Sequence, residues 1–172
     1  MDVLVIALRI IHILSGVLWV GGAALFFFYI EPAINKLGPD GEKFVDEVVN
    51  RRKLPIYFVT LSTLSVLGGV ILYWRASSGI DFTWITSAPG LAFTVGGIAA
   101  LAAWLGGNLL IPSTLGQLMA VGAQMTASDG PPSPELVGRL HAVQKKLHTI
   151  GMVDIVLLGV AVIAMASARN LG

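Results

Sequence analysis

The sequence predicts an all-α integral membrane protein, a four-helix bundle of two duplicated helical hairpins with amphipathic helical extensions on the inner side. Hydrophobic residues make up 55% of the 172 residues and charged residues only 12%, whereas about a quarter of the residues in a soluble domain are charged. The mean hydropathy is +0.81. The apolar residues fall into four stretches, each near the length of about 20 residues that a bilayer requires. The net charge of +1 predicts no nucleic-acid partner.

The first two predicted spans cover about residues 3–30 and 54–74 of a single transmembrane domain. The first follows Asp2 and is too long and too acidic at its start for a cleaved signal peptide. We expect it to end at Pro32, because proline interrupts a helix. The second begins near Pro55, which is tolerated in a first turn, and ends with Arg75 at a membrane interface.

The other two predicted spans cover about residues 90–112 and 148–168. A short polar turn at 77–89 leads into the third. Pro112 is expected to kink this helix, which continues through Gln124. The fourth span is entered from a helix that should begin at Pro134, with Ser133 as its N-cap.

The basic residues predict the orientation of the chain, because short cytoplasmic loops are enriched in Lys and Arg. Eight of the eleven basic residues lie between spans one and two or between spans three and four. Both termini are therefore expected outside the cytoplasm. A specific site for anionic lipids is the alternative interpretation of the same charges. The eight residues are Lys36, Lys43, Arg51, Arg52, Lys53, Arg139, Lys145 and Lys146.

An internal repeat is suggested by a Trp-Val-Gly-Gly element at Trp19 and a Trp-Leu-Gly-Gly element at Trp104, followed by Pro32 and Pro112 respectively. Such a duplication predicts parallel halves related by an axis along the membrane normal. Chance similarity between glycine-rich spans is the alternative. Small residues let helices approach closely, and because they occur on several faces they are also compatible with a homodimer.

Polar residues inside the spans are the candidates for function. An ionisable residue there costs roughly 2.5–3.5 kcal/mol to bury, and Arg9, His12 and Asp154 are of this kind. Asn108 and Thr60 are expected to add buried neutral groups. Alternatively, Arg9 extends to the outer interface, and Asp154 is paired or protonated within the bundle. A proton relay through Asp154 or Asn108 is a further hypothesis.

His12 is the candidate ligand for a cofactor. It shares a helical stripe with Arg9, Gly16 and Trp19, and the glycine one turn away is expected to leave space beside the imidazole for a flat macrocycle. Imidazole is a standard ligand of haem iron, and the chain has no cysteine to serve instead. The predicted cofactor-binding residues are therefore these four, with Arg9 near a propionate. A hydrogen-bonded core histidine is the alternative.

His141 and His148 lie seven residues apart on one face of the fourth helix. They are candidates for a metal ion or for contact with lipid headgroups. His148 and His12 differ in depth by roughly 16 Å at 1.5 Å per residue. We therefore expect a haem with a single histidine ligand rather than one held by both.

The segment from Leu8 to Gly22, with its histidine followed by Trp-Val-Gly-Gly, resembles the first helix of the copper-resistance-D-like superfamily of small bacterial membrane proteins. The entry to the second span from Arg51 to Pro55 is similar to that of four-helix members. A distant relative is the membrane protoporphyrinogen oxidase that carries haem b, whose first-helix histidine would correspond to His12. That enzyme also uses a lysine in its third helix. This chain has no lysine between residues 53 and 145, which argues against the same reaction.

The resemblance implies a multi-pass protein of the bacterial inner membrane. Three functions follow as expectations. The first is binding of haem b for electron transfer or for a membrane-bound oxidoreductase activity. The second is a part in copper or small-solute transport, and the third is a cofactor-free accessory subunit of a larger complex. The catalytic residues and the redox partner are not predicted.

Overall fold

The computed structural model describes residues 2–37, 39–127 and 130–171, and every regular element within these ranges is a helix. Four of the described helices are long and apolar enough to cross a membrane: α1, α3, α5 and α6. The predicted all-α four-helix bundle is thus confirmed. In chain order the helices are α1 (Val3–Leu37), α2 (Pro39–Asp46), α3 (Leu54–Ala76), α4 (Phe82–Ile85), α5 (Ala88–Thr126) and α6 (Pro134–Ala168).

Several helix starts follow from local sequence. The side chain of Ser133 accepts a hydrogen bond from the N–H of Leu136, so α6 begins at Pro134 as predicted. Asp2 caps α1 in the same way, and Pro55 lies in the first turn of α3. Each capping side chain satisfies an N–H that has no partner within the helix. The predicted polar turn before the third span contains the short helix α4.

The two prolines inside the long helices do not end them. The expectation that Pro32 ends the first helix is wrong, because α1 continues to Leu37. A π-helical turn, Phe26–Ile30, ends two residues before Pro32, and another, Gly106–Leu110, ends two residues before Pro112. Proline lacks an N–H and its ring clashes with the carbonyl four residues earlier. The wider π turn relieves that conflict, so the helix continues.

The bundle consists of two antiparallel hairpins. The first hairpin is α1 packed along α3, and the second is α5 packed along α6. Asp2 and Arg75 form an ion pair of 2.6 Å where α1 begins and α3 ends. We call this end of the bundle, which also carries α4 and the end of α6, the terminal end. The opposite end, which carries α2 and the start of α6, is the loop end.

Packing between the hairpins combines a small apolar core with polar contacts. The buried centre is made of Trp19, Ala103 and Leu158, from α1, α5 and α6. In a membrane, close packing and interhelical hydrogen bonds hold helices together, because lipid is as apolar as their side chains. Three such bonds join α3 to α5: Tyr73 to Thr94 at 2.7 Å, Trp104 to Thr63 at 3.1 Å and Asn108 to Ser62 at 3.3 Å.

The predicted duplication is supported at the prolines but not at the tryptophans. The π turns stand at the same offset before Pro32 and Pro112. Trp19, however, precedes its proline by thirteen residues and Trp104 precedes its own by eight. Trp19 is buried in the core, whereas Trp104 is half-buried and donates a hydrogen bond to α3. The duplication therefore stays a prediction.

Glycine determines how closely α5 approaches α6. A Cβ atom at Gly96 would lie 2.8 Å from Cγ of Met165 and 3.2 Å from the carbonyl oxygen of Ala161. Apart from its chain neighbours and the nearby backbone of its own helix, the adjacent Gly97 has no atom of the described residues within 4 Å of its Cβ position. Only the first of these two glycines is required by the packing.

We expect Gly96→Ala to destabilise the bundle by about 1–3 kcal/mol, because the added methyl group overpacks the contact between α5 and α6. Gly97→Ala is the matched control, since it makes the same chemical change one residue away. It should leave stability unchanged or raise it. Reversible unfolding in detergent micelles measures both values, and an equal effect of the two substitutions would contradict the described helix contact.

Candidate functional site

His12 lies in α1 with its imidazole half-buried against α3. Its Nδ1 atom is 2.7 Å from the carbonyl oxygen of Ser65. A carbonyl oxygen can only accept, so Nδ1 carries the hydrogen and donates it. In the neutral ring Nε2 is then the unprotonated nitrogen. The ring is oriented by a backbone group, which is the usual way in which metal-binding histidines are held.

Two glycines of α3 make room for this imidazole. A Cβ atom at Gly69 would lie 3.0 Å from Cε1 of His12, and one at Gly68 would lie 3.2 Å from its Cβ. Any larger residue at position 69 would press on the ring itself. The sequence predicted that small residues allow close helix approach, and Gly68 and Gly69 are such residues. Their partner His12 could not be identified there, because the register between α1 and α3 was unknown.

The other residues predicted to bind a cofactor have different surroundings. Space beside the imidazole was expected at Gly16, but Oγ of Ser65 lies 3.1 Å from the position of a Cβ there, so the gap is filled by α3. Trp19 is only 6% exposed and belongs to the core between the hairpins. Arg9 is exposed, and no ion pair involves it among the described residues. Within the predicted set, His12 and Arg9 remain accessible.

The expectation that Thr60 is buried is wrong, since its side chain is exposed. Ser62 and Ser65, also on α3, are buried instead, with exposed fractions of 2% and 5%. Positions 60 and 62 lie about 200° apart around a helix, because successive residues turn by about 100°. The sequence does not distinguish the buried face of α3, because this helix has low amphipathicity and carries polar and small residues on several sides.

The other two predicted buried polar residues lie on the second hairpin. Asn108 is half-buried, and its Nδ2 donates to the carbonyl oxygen of Trp104 at 2.7 Å and to Oγ of Ser62 at 3.3 Å. Asp154 is 7% exposed, and its Oδ1 has no hydrogen-bond partner within the described part of the chain. Asn108 thus has a structural role, because it joins α5 to α3. The contacts of Asp154 do not explain why its carboxyl group is buried.

The histidines of α6 lie away from His12. His148 is paired with Glu31, with 3.0 Å between Nδ1 and Oε1, and its ring stacks on Phe27 at 5.1 Å. His141 is exposed. Phe27 and His12 are fifteen residues apart on α1, about 22 Å along a helix, so one iron cannot reach both His12 and His148. Across the ranges that are described, no group of three or more His, Asp or Glu side chains is arranged to hold a metal ion.

The geometry of His12 predicts its tautomer in the protein without a cofactor. We expect the neutral ring to carry its proton on Nδ1, because Ser65 offers a carbonyl oxygen there. Nitrogen NMR of protein labelled with ¹⁵N-histidine measures this directly. Three histidines give few signals, and the one lost in His12→Asn belongs to His12. A proton found on Nε2 instead would contradict the described hydrogen bond.

Comparisons of the chain with protein-family models, with curated proteins and with solved structures give no match. The function of the protein is therefore argued from its own residues and contacts.

Proposed function

We propose that the protein binds b-type haem through Nε2 of His12 and acts in electron transfer or as a membrane-bound oxidoreductase. One observation carries the proposal. The bond from Nδ1 to the Ser65 carbonyl leaves Nε2 as the free nitrogen of a half-buried imidazole within an apolar helix. Haem iron is commonly held by such a histidine, and a hydrogen bond from the other nitrogen orients the ring and raises its basicity.

The residues around His12 fit this role. The position of the ring depends on the absence of a side chain at Gly69, where a Cβ would lie 3.0 Å from Cε1. Arg9 lies three residues from His12 on the same helix, is exposed, and is suited to pair with a propionate. Because Ser65 occupies the gap at Gly16, the proposal places the cofactor on the membrane-facing side of the first hairpin. A second copy of the chain would cover it there.

When bound, haem would supply one-electron redox chemistry. The chain's own contribution is to hold and tune the ligand. The carbonyl oxygen of Ser65 accepts the hydrogen bond from Nδ1 and so leaves Nε2 unprotonated, while Gly68 and Gly69 keep the imidazole close to α3. Trp19, seven residues further along α1, is buried in the core and anchors the same helix there. The surrounding apolar side chains exclude water from the ligand, which is one of the means by which proteins set a reduction potential.

The proposal includes membership of the copper-resistance-D-like superfamily and a location in the bacterial inner membrane with both termini outside. What supports the orientation is the position of the basic residues at the loop end. Exposed arginines and lysines lie there on α2, on the π-helical turn Glu47–Arg51 and on the first half of α6. Short segments with this charge remain on the cytoplasmic side during insertion.

The haem proposal predicts a coloured protein. Purified in detergent from haem-sufficient cells, it should show a Soret band and a change of the visible bands on reduction with dithionite. His12→Ala should abolish the band, and Gly69→Ala should weaken it, because the methyl group displaces the ligand. His148→Ala and Gly21→Ala are matched controls that should keep it. A Cβ at position 21 would meet no described atom within 4 Å except its chain neighbours and the nearby backbone of its own helix.

Folding is checked by helical circular dichroism and gel filtration of each variant. A folded wild-type protein that is colourless and takes up no haem on reconstitution would show that the proposal is wrong. So would a Soret band that persists in folded His12→Ala.

A further inference from the structure

The carboxyl group of Asp154 has no role in the proposed binding of haem. This residue lies on α6, it is 7% exposed, and its Oδ1 is buried without a hydrogen-bond partner in the described ranges. The facing residues on α5 are Gly106 and Gly107, whose Cβ positions would be 3.8 and 3.9 Å from Oδ1. These are ordinary van der Waals distances, so the carboxyl group lies against a stretch of α5 that presents no side chain to it.

No basic side chain of the described residues pairs with this acid. The whole of α5 opposite it, Ala88–Thr126, contains no ionisable residue. On α1, Glu31 is paired with His148, while Arg9 and His12 lie near the terminal end. On α6 itself, the nearest ionisable residues are His148 and Lys146, which lie six and eight residues from Asp154 toward the loop end. An ionised carboxylate at this depth would be buried without a counter-charge, which is costly in lipid.

The carboxyl group can nevertheless be reached from outside the bundle. Asp154 lines a groove between α5 and α6 with a volume of about 510 Å³, whose other lining residues are apolar except Thr149. The groove lies beside the π turn Gly106–Leu110, where the regular hydrogen bonding of α5 is interrupted. Such turns are frequent at functional sites. The groove therefore opens the buried carboxyl group to molecules outside the bundle.

We propose that Asp154 is a membrane-embedded proton-binding site, reached through the groove between α5 and α6. The carboxyl group takes up a proton in the apolar surroundings and releases it when the proton concentration falls. A hard metal cation such as Ca²⁺ or Mg²⁺ takes about six or more oxygen ligands, whereas Asp154 and Thr149 are the only groove residues with side-chain oxygen atoms. The proposal is independent of haem at His12.

A hydrophobic carbodiimide tests this site, because dicyclohexylcarbodiimide partitions into membranes and reacts with protonated carboxyl groups. The acid proton moves to a carbodiimide nitrogen, the carboxylate oxygen bonds to the central carbon, and rearrangement to a stable acylurea releases no leaving group. The full chain in lipid vesicles should be labelled once, at Asp154. Labelling should decrease about tenfold per pH unit once the carboxyl group is mostly ionised.

Peptide mapping of the wild-type protein locates the adduct without any variant. Asp154→Asn should lose the label, while Asp154→Glu should regain it and Glu31→Gln should keep it. The proposal is overturned if folded wild-type protein is not labelled at Asp154. It is also overturned if labelling is unchanged from mildly acidic to alkaline pH, which indicates a permanently protonated structural acid. Protection by sodium but not by choline at constant pH would assign the site to a metal cation instead.

Discussion

The fold depends on close contact between helix backbones at small residues. In lipid, every backbone polar group must be bonded within the protein, and apolar side chains gain little by leaving the bilayer for one another. What holds the helices is close packing at positions such as Gly96 and a few interhelical hydrogen bonds such as that from Asn108 to Ser62. The same constraint produces the candidate site. His12 lies against α3 only because Gly68 and Gly69 leave room for it, and its polar nitrogen is satisfied by a carbonyl of that helix.

Pro32 and Pro112 interrupt the regular backbone hydrogen bonding of α1 and α5. The π turns that accommodate these prolines also contact α6. Both α1 and α5 widen into a π turn just before the proline, and each turn contacts α6. The turn in α1 presents Phe27 to Gly151 and His148, and the turn in α5 presents its glycines to Asp154. The segment of α6 between His148 and Asp154 therefore packs against the two least regular parts of the bundle. His148, which is paired with Glu31, and Asp154, which faces the glycines of α5, lie at the two ends of this segment.

Local signals allowed much of the fold to be predicted. The cap at Ser133, the apolar lengths of the spans and the helical continuation after Pro112 are local properties, and each was found. The end of α1 was misplaced, because relief of a proline by a π turn is not visible in periodicity. Within the site, His12 was identifiable as an ionisable residue in an apolar span. Its partners Ser65 and Gly69 were not, because they depend on the register between two helices of low amphipathicity.

The central claim is that Nε2 of His12 is held free to bind iron. Resonance Raman spectroscopy of the reduced, haem-loaded protein tests it most directly, since the iron–imidazole stretching band reports this bond alone. We expect a band that shifts on labelling with ¹⁵N-histidine, is absent in His12→Gly and returns when free imidazole is added to fill the vacated space. An iron–histidine band that is unchanged in folded His12→Gly without added imidazole would contradict the account, because another residue would then be the ligand.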